Sequence, residues 1–167
     1  MSYQAEFSKR DNFALINLRG EEEAVTRFES ALSLMFPRTA HTTAAKDNVA
    51  VLSLAPDHWW VRTSIQKERE TFEALFQAGS TEHAAVTIVT DHFCGFSVTG
   101  PEALLVLRQG VSLDLRNLHT GQCTRGGFAR CGATFQVVDY ARHYDLFVES
   151  SYGDYVTDWL ARARGPE

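Results

Sequence analysis

The sequence predicts an α+β fold made of two related split β-α-β (ferredoxin-like) units packed together. Three observations predict it. Short stretches alternate apolar and polar residues as strands do, among them Phe96 with Val98 and Tyr144 with Leu146 and Val148. Between them lie runs whose apolar residues recur at helical spacing. The order β-α-β-β-α-β is spelled once before Asp91, and a similar order recurs from His92.

Taken in order, residues 1–12 are polar and form an arm that lies against another element or frays. Phe13 to Arg19 reads as a strand stopped by Gly20. Glu21, Glu22 and Glu23 then place negative charge in a first helical turn, where the helix dipole favours it. Ala24, Val25, Phe28, Ala31 and Leu32 give that helix one buried face, and Pro37 ends it. Arg38 to Asn48 has no periodicity and reads as a surface loop. Val49 to Leu54 is a strand, Ala55-Pro56-Asp57 a turn, and Trp59 to Arg62 the returning strand. Glu68 to Ala78 is a helix with Phe72, Leu75 and Phe76 inward, stopped by Gly79. Ala85 to Thr90 is a further strand.

In the second half Gly100 breaks a strand, and Pro101 suits a first helical turn, where its missing N–H is not needed. Ala103, Leu104, Val106 and Leu107 supply the helix's apolar face, and Gly110 stops it. The last strand, Tyr144 to Val148, is followed by Ser150 or Ser151 as a cap and by a helix with Val156, Trp159 and Leu160 on one stripe. An internal echo accompanies this: NLRGEEEAVTRF is laid out like SVTGPEALLVL, and LSLAPDHWWVRTS like VVDYARHYDLFVESS. The units are accordingly 1–91, including the arm over 1–12, and 92–167. Gly and Pro nowhere cluster as in a flexible linker, so the join is expected to be tight and the whole one compact domain.

With 167 residues, 44% hydrophobic and 22% charged, the chain can bury a core. A net charge of −5 argues against nucleic acid as a partner. No apolar run of signal-peptide length follows Met1, and none approaches the roughly 18–20 residues of a membrane span. Three cysteines without CxxC spacing point to reduced thiols and a cytoplasmic setting.

Several constellations invite chemistry. His92 with Cys94, His119 with Cys123, and Cys131 beyond them fit zinc spacing loosely, and buried thiols with surface imidazoles are the simpler reading. Cys123, beside Arg125 and four residues after His119, is the best nucleophile candidate, yet no nucleophile-type surround accompanies it. Gly126-Gly127 lies in a strand and suggests a bulge or a close backbone approach. Asp139 and Asp145 fall at strand ends, where turns explain them. The adjacent Trp59 and Trp60 must face opposite sides of a strand, so one can enter the core while the other is exposed or sits in an interface; burial of both in the core is the plainer alternative. Tyr140, Tyr144, Tyr152 and Tyr155 add aromatic area to hide. These residues favour a binding or assembly role.

The same residues carry a resemblance. LSLAPDHWWV (Leu52 to Val61) is similar to the LxLGPDEWLL motif of the gamma subunit of heterotetrameric sarcosine oxidase. Val89-Thr90-Asp91, VTGPEALLVL, GVSLDL, GQC with Thr124-Arg125, and FVESSYGDYVTDWL follow in that family's order over about residues 13–162. Ala55, His58, HFCGF (His92 to Phe96) and Ser112 depart from it. The family in turn resembles the folate-binding domain of glycine-cleavage aminomethyltransferases. The resemblance implies a non-catalytic subunit of a flavoenzyme that oxidatively demethylates sarcosine, with Trp59 and Trp60 as candidate subunit-interface residues. It implies alpha, beta and delta partner subunits that hold FAD, FMN, NAD, tetrahydrofolate and zinc, with no cofactor, metal or catalytic residue in this chain. Complexes acting on another N-methylated amine, such as N-methylglutamate, use a similar gamma chain. A stand-alone folate-binding module, with an acidic residue sought at Asp91, and a thiol enzyme using Cys123 and His119 are the other expectations.

Overall fold

A computed structural model describes residues 2–166. Strand β1 (Glu6–Arg10) opens the chain. There follow β2 (Ala14–Gly20), α1 (Glu22–Leu32), β3 (Thr43–Lys46), β4 (Val49–Ala55), β5 (His58–Thr63), α2 (Glu68–Gly79) and β6 (Ala84–Ile88). Then come β7 (Phe93–Thr99), α3 (Ala103–Leu107), β8 (Cys123–Phe128), β9 (Cys131–Asp139), β10 (His143–Glu149) and α4 (Gly153–Arg164). The chain divides into two units, one of residues 12–90 and one of residues 1–11 with 91–167.

The unit of residues 12–90 is a five-stranded antiparallel sheet in the order β3-β4-β5-β2-β6. Its split β-α-β is β5-α2-β6, two strands made parallel by the antiparallel β2 between them. Ile16, Leu18, Val51, Trp59 and Val61 form one sheet face, packed with Val25, Phe28 and Leu75 of the helices into a single core. α1 stops well before Pro37, at Ser33, whose left-handed backbone (φ 49°) turns the following Leu34 N–H back to the Glu29 carbonyl at 3.2 Å. Glu29 then pins the segment beyond the helix. Its carboxylate accepts from the Phe36 N–H at 2.6 Å and from Arg38 Nη1 at 2.7 Å.

The other unit has the sheet order β1-β7-β10-β9-β8. Read from β7, its elements run β7-α3-β8-β9-β10-α4, and β1 occupies the place that β6 holds in the first unit. The echo in the sequence is therefore structural: β2-α1 corresponds to β7-α3, and the β4-β5 hairpin to β9-β10. Phe96, Val98, Phe128, Phe135, Leu146 and Val148 form its core with residues of α3 and α4.

The arm over residues 1–12 thus needs correction. Glu6–Arg10 pairs with β7 from Glu6↔Thr99 to Arg10↔Gly95, so it belongs with the unit of the second half. The loop expected from Arg38 to Asn48 contains β3, paired along β4 from Thr43↔Leu52 to Lys46↔Val49. Phe76 is not inward but 56% exposed, because Thr71, Leu75 and Gly79 define the buried face of α2. Neither Ser150 nor Ser151 caps α4: Ser150–Tyr152 form a 3-10 turn, and the Ser150 hydroxyl donates to the Asp91 carbonyl at 2.7 Å. Asp145 stands mid-strand in β10, not at its end.

Candidate functional site

The quoted motifs have local physical reasons. In VTGP, Gly100 has φ 112°, and a Cβ there would sit 2.6 Å from the Gln4 carbonyl oxygen. The glycine is needed because the N-terminal segment crosses it: Glu102 N–H donates to Gln4 O at 3.1 Å, and the Glu102 carboxylate accepts from Gln4 N–H at 2.6 Å. In APDH, Asp57 holds Arg19 Nη1 through both oxygens at 3.1 Å. In SLDL, Asp114 accepts from the Arg116 side chain at 2.8 Å and from its N–H at 3.1 Å, which drops its pKa to about 2. That bond shapes the turn that buries Leu115.

Trp59 and Trp60 do face opposite sides of β5, but both are buried, at 2% and 1% exposure. Trp59 donates its indole N–H to the Pro37 carbonyl at 3.1 Å and lies against the Phe36 ring. Trp60 donates to Asn17 Oδ1 at 3.2 Å, and the same oxygen accepts from His58 Nε2 at 2.6 Å. The expectation that one tryptophan is offered to a partner is therefore corrected: both faces of β5 are covered, and neither ring has surface to give. Tyr144 is buried too, and its hydroxyl accepts the Ala141 N–H at 2.9 Å, with burial pushing its pKa up. The exposed aromatic surface belongs instead to Phe76, Tyr140, Tyr152 and Tyr155.

A polar cluster lies on the second unit's sheet, on the face away from α3 and α4. Arg10 Nη1 donates to the buried Asp145 at 2.7 Å, and His143 Nε2 lies 2.8 Å from Ser97 Oγ and 3.2 Å from Asp145 Oδ1. Ser, His and Asp are all present, but the serine and the carboxylate share one ring nitrogen. A catalytic triad needs them on opposite nitrogens, so that the ring can pass a proton between its sides. This cluster instead ties β1, β7 and β10 together. Sequence spacing could not reveal it, since Arg10 and Asp145 are 135 residues apart.

The thiols are structural. Burial pushes the Cys94 pKa up against the lowering effect of Lys9, and burial likewise raises that of Cys131, whose thiol donates to the Phe128 carbonyl at 3.1 Å. Both changes disfavour the thiolate a nucleophile needs. Cys123 is fully buried at the start of β8, whereas His119 is exposed and its ring lies 5.9 Å from that of Tyr140. Among the described residues no three His, Cys, Asp or Glu side chains gather as metal ligands. Gly126 and Gly127 are in unbroken register with β9, so they mark close approach and not a bulge. A side chain at either would meet Leu113 or Ser112, so the pair is filled by protein and forms no phosphate cradle. An open cavity of about 500 Å³ borders Tyr3, Gln4, Glu6, Thr99, Pro101 and Arg164. Another of about 290 Å³ borders Phe93, Arg125, Thr134, Phe147 and Glu149. No helix among the described residues is long and apolar enough to cross a membrane.

These features define a class: a duplicated α+β chain in which the Arg10–Asp145–His143–Ser97 cluster ties strands together and whose exposed residues include several large aromatics. Comparison with known proteins narrows it. No family model matches the sequence, and no curated protein does. The structure is similar to heterotetrameric sarcosine oxidase from Corynebacterium sp. U-96 in complex with pyrrole 2-carboxylate, with a TM-score of 0.88 and 18% identity over 96% of this chain and 83% of that one. It is also similar to glycine cleavage system aminomethyltransferase T from Bartonella henselae, with a TM-score of 0.74 and 14% identity over 95% of this chain. The match spans 46% of that enzyme, under half its length. The regulatory subunit of aspartate kinase from Thermus thermophilus follows at 0.57 and 11% identity, over 95% of this chain and 97% of that one. The α+β fold and its likeness to sarcosine oxidase, which the motifs implied, are thus present in the structure.

Proposed function

We propose that this chain is the gamma subunit of a sarcosine oxidase-type heterotetramer, an oxidoreductase complex acting on CH–NH donors in the cytoplasm. The complex demethylates sarcosine oxidatively to glycine, and the one-carbon unit passes to tetrahydrofolate or leaves as formaldehyde. The chain's own part is assembly and stabilisation of the alpha, beta and delta subunits. The single observation that carries this is the 0.88 TM-score over 96% of the chain, found where the ordered motifs had already pointed. FAD, FMN, NAD, tetrahydrofolate and zinc are assigned to the partner subunits. The chain's own glycine pair and His/Cys positions do not fit such groups, and no chemical step is placed on them. A related complex acting on another N-methylated amine, such as N-methylglutamate, is the alternative for the same subunit role, since in this reading catalysis sits on the partner subunits.

The likeness to aminomethyltransferase favours a second reading, a stand-alone folate-binding module. One experiment separates the two. The chain is purified by a small tag from cells that co-express its genomic neighbours, and its native mass is measured. A yellow assembly containing larger flavin-bearing chains is the expected result. A colourless monomer that binds tetrahydrofolate saturably at micromolar concentration would overturn the subunit reading in favour of the module.

A further inference from the structure

The edge strands of the two sheets differ in chemistry. β1 (EFSKR) carries Glu6, Lys9 and Arg10, β3 (TAAK) ends in Lys46, and β8 (CTRGGF) carries Arg125 beside two glycines. Charges of this kind guard an edge against pairing with another chain, and β8 is also lined by Ser112, whose N–H donates to the Gly127 carbonyl at 2.9 Å. β6 reads AAVTI, with no charge, glycine or proline. Among the described residues it pairs with β2 on one side and with no strand on the other.

The register shows which of its backbone groups are open. Val89 N–H donates to Leu15 O at 2.9 Å just beyond the strand. In an antiparallel ladder bonded pairs alternate, so they run from Leu15–Val89 through Asn17–Thr87 to Arg19–Ala85. The N–H and C=O of Val86 and Ile88 therefore point away from β2. Among the described residues no backbone bond outside the ladder takes them up. Ile88 is 37% exposed, and Phe76, stacked on Phe72, stands exposed on α2, the helix that packs on β6.

The surroundings say which kind of chain fits. α1 and α2 together carry six glutamates against two arginines. A second copy pairing antiparallel through β6 would place both helix layers on the same side of the joined sheet, acid beside acid. We propose that β6 is a docking edge where a strand of a different polypeptide adds to this sheet. That strand is uncharged at its centre, bonds to the backbone of Val86 and Ile88, and is flanked by basic residues that meet α1 and α2. The inference rests on the subunit reading above and names the surface through which the subunit docks.

The test uses the full chain co-expressed with its genomic neighbours. Val86→Pro removes an outward N–H while sparing the ladder to β2, and Ile88→Lys adds the guard charge that the edge lacks. Partner capture is expected to fall at least about tenfold in both variants, with the urea midpoint of the isolated chain within about 0.5 M of wild type. In the wild-type complex, hydrogen exchange at the Val86 and Ile88 amides should slow at least about tenfold relative to the isolated chain, while Thr87, already bonded to β2, changes little. Wild-type capture by both variants, with both amides still fast, overturns the docking edge and leaves the subunit reading standing. A wild-type chain that captures no partner overturns both, and a homodimer dissociated by Ile88→Lys overturns the assignment to a different polypeptide.

Discussion

Replacing Trp59 by alanine should destabilise the fold itself rather than merely detach the chain from a partner. The indole is 2% exposed, fills the core between β5 and the segment after α1, and donates to the Pro37 carbonyl at 3.1 Å. Its ring centroid lies 6.3 Å from that of Phe36, which in turn stacks on Phe28. Truncating a buried tryptophan costs about 3–5 kcal/mol, since the surrounding side chains collapse only partly into the space. With a urea m-value of about 2 kcal/mol/M, the midpoint should fall by about 1.5–2.5 M. Trp59→Phe keeps a ring against Phe36 and gives up the N–H and part of the ring volume, so it should cost about 1–2 kcal/mol, under about 1 M. Phe76→Ala, on the exposed face of α2, should move the midpoint by no more than about 0.3 M. Urea unfolding followed by tryptophan fluorescence and far-UV circular dichroism reads all three. A Trp59→Ala midpoint within about 0.3 M of wild type would refute the core assignment and return Trp59 to the surface.

Two further outcomes follow from packing and charge. The hydrogen bonds from Arg38, with that of the Phe36 N–H, hold the Glu29 pKa below the ordinary carboxylate value. A depressed folded pKa means stability that is present at neutral pH and lost as pH falls from about 4.3 through the folded value. Glu29→Gln should therefore cost about 1.5–3 kcal/mol at pH 7, and unfolding measured across pH should show the gap to wild type closing in acid. A gap constant down to pH 2 would contradict the ion-pair account. At Gly110 a Cβ would lie 2.6 Å and 2.7 Å from two carbons of the Trp159 ring. Gly110→Ala should thus cost about 1–3 kcal/mol by overpacking. Adding Trp159→Phe removes those carbons and should restore part of that loss in a double-mutant cycle; strict additivity would show that the clash is relieved some other way.

What the sequence made legible, and what it hid, follows from how each element is packed. β4, β5, β7 and β10 were readable because one face of each is filled by large apolar residues, such as Val51, Val61, Phe96 and Leu146. β1 and β3 are edge strands with little to bury. EFSKR offers only Phe7 to the core, and TAAK offers nothing large, so neither shows periodicity. The tryptophan pair was rightly placed on opposite faces, but the step from opposite faces to one exposed ring failed because His58, Trp60 and the neighbouring Leu52 and Leu15 are buried as well. Alternation tells which residues share a face and is silent on whether the polar-looking face is covered. The Arg10–Asp145 pair had no local signal at all, since it depends on β1 meeting β7 and β10 across most of the chain.

The permuted strand sharpens the case for β6. In the unit of residues 12–90, β6 follows α2 directly; in the other unit the chain runs past α4 and the equivalent position is filled by β1 from the opposite end of the sequence. That strand is tied by Tyr3 N–H to Arg164 O at 2.8 Å, by the Gln4 contacts over Gly100, and by the Arg10–Asp145 pair. Closing so long a connection adds little entropic cost over a short one, because that cost grows only with the logarithm of length. β1 and β6 therefore stand at the same edge of the same topology, each paired on one side only among the described residues. One carries Glu6, Lys9 and Arg10 and the other carries no charge. Topology cannot be the source of that difference, since it is shared. The bare edge is a property of the sequence at β6 alone, and the outward N–H and C=O groups of Val86 and Ile88 are where a partner strand would find it.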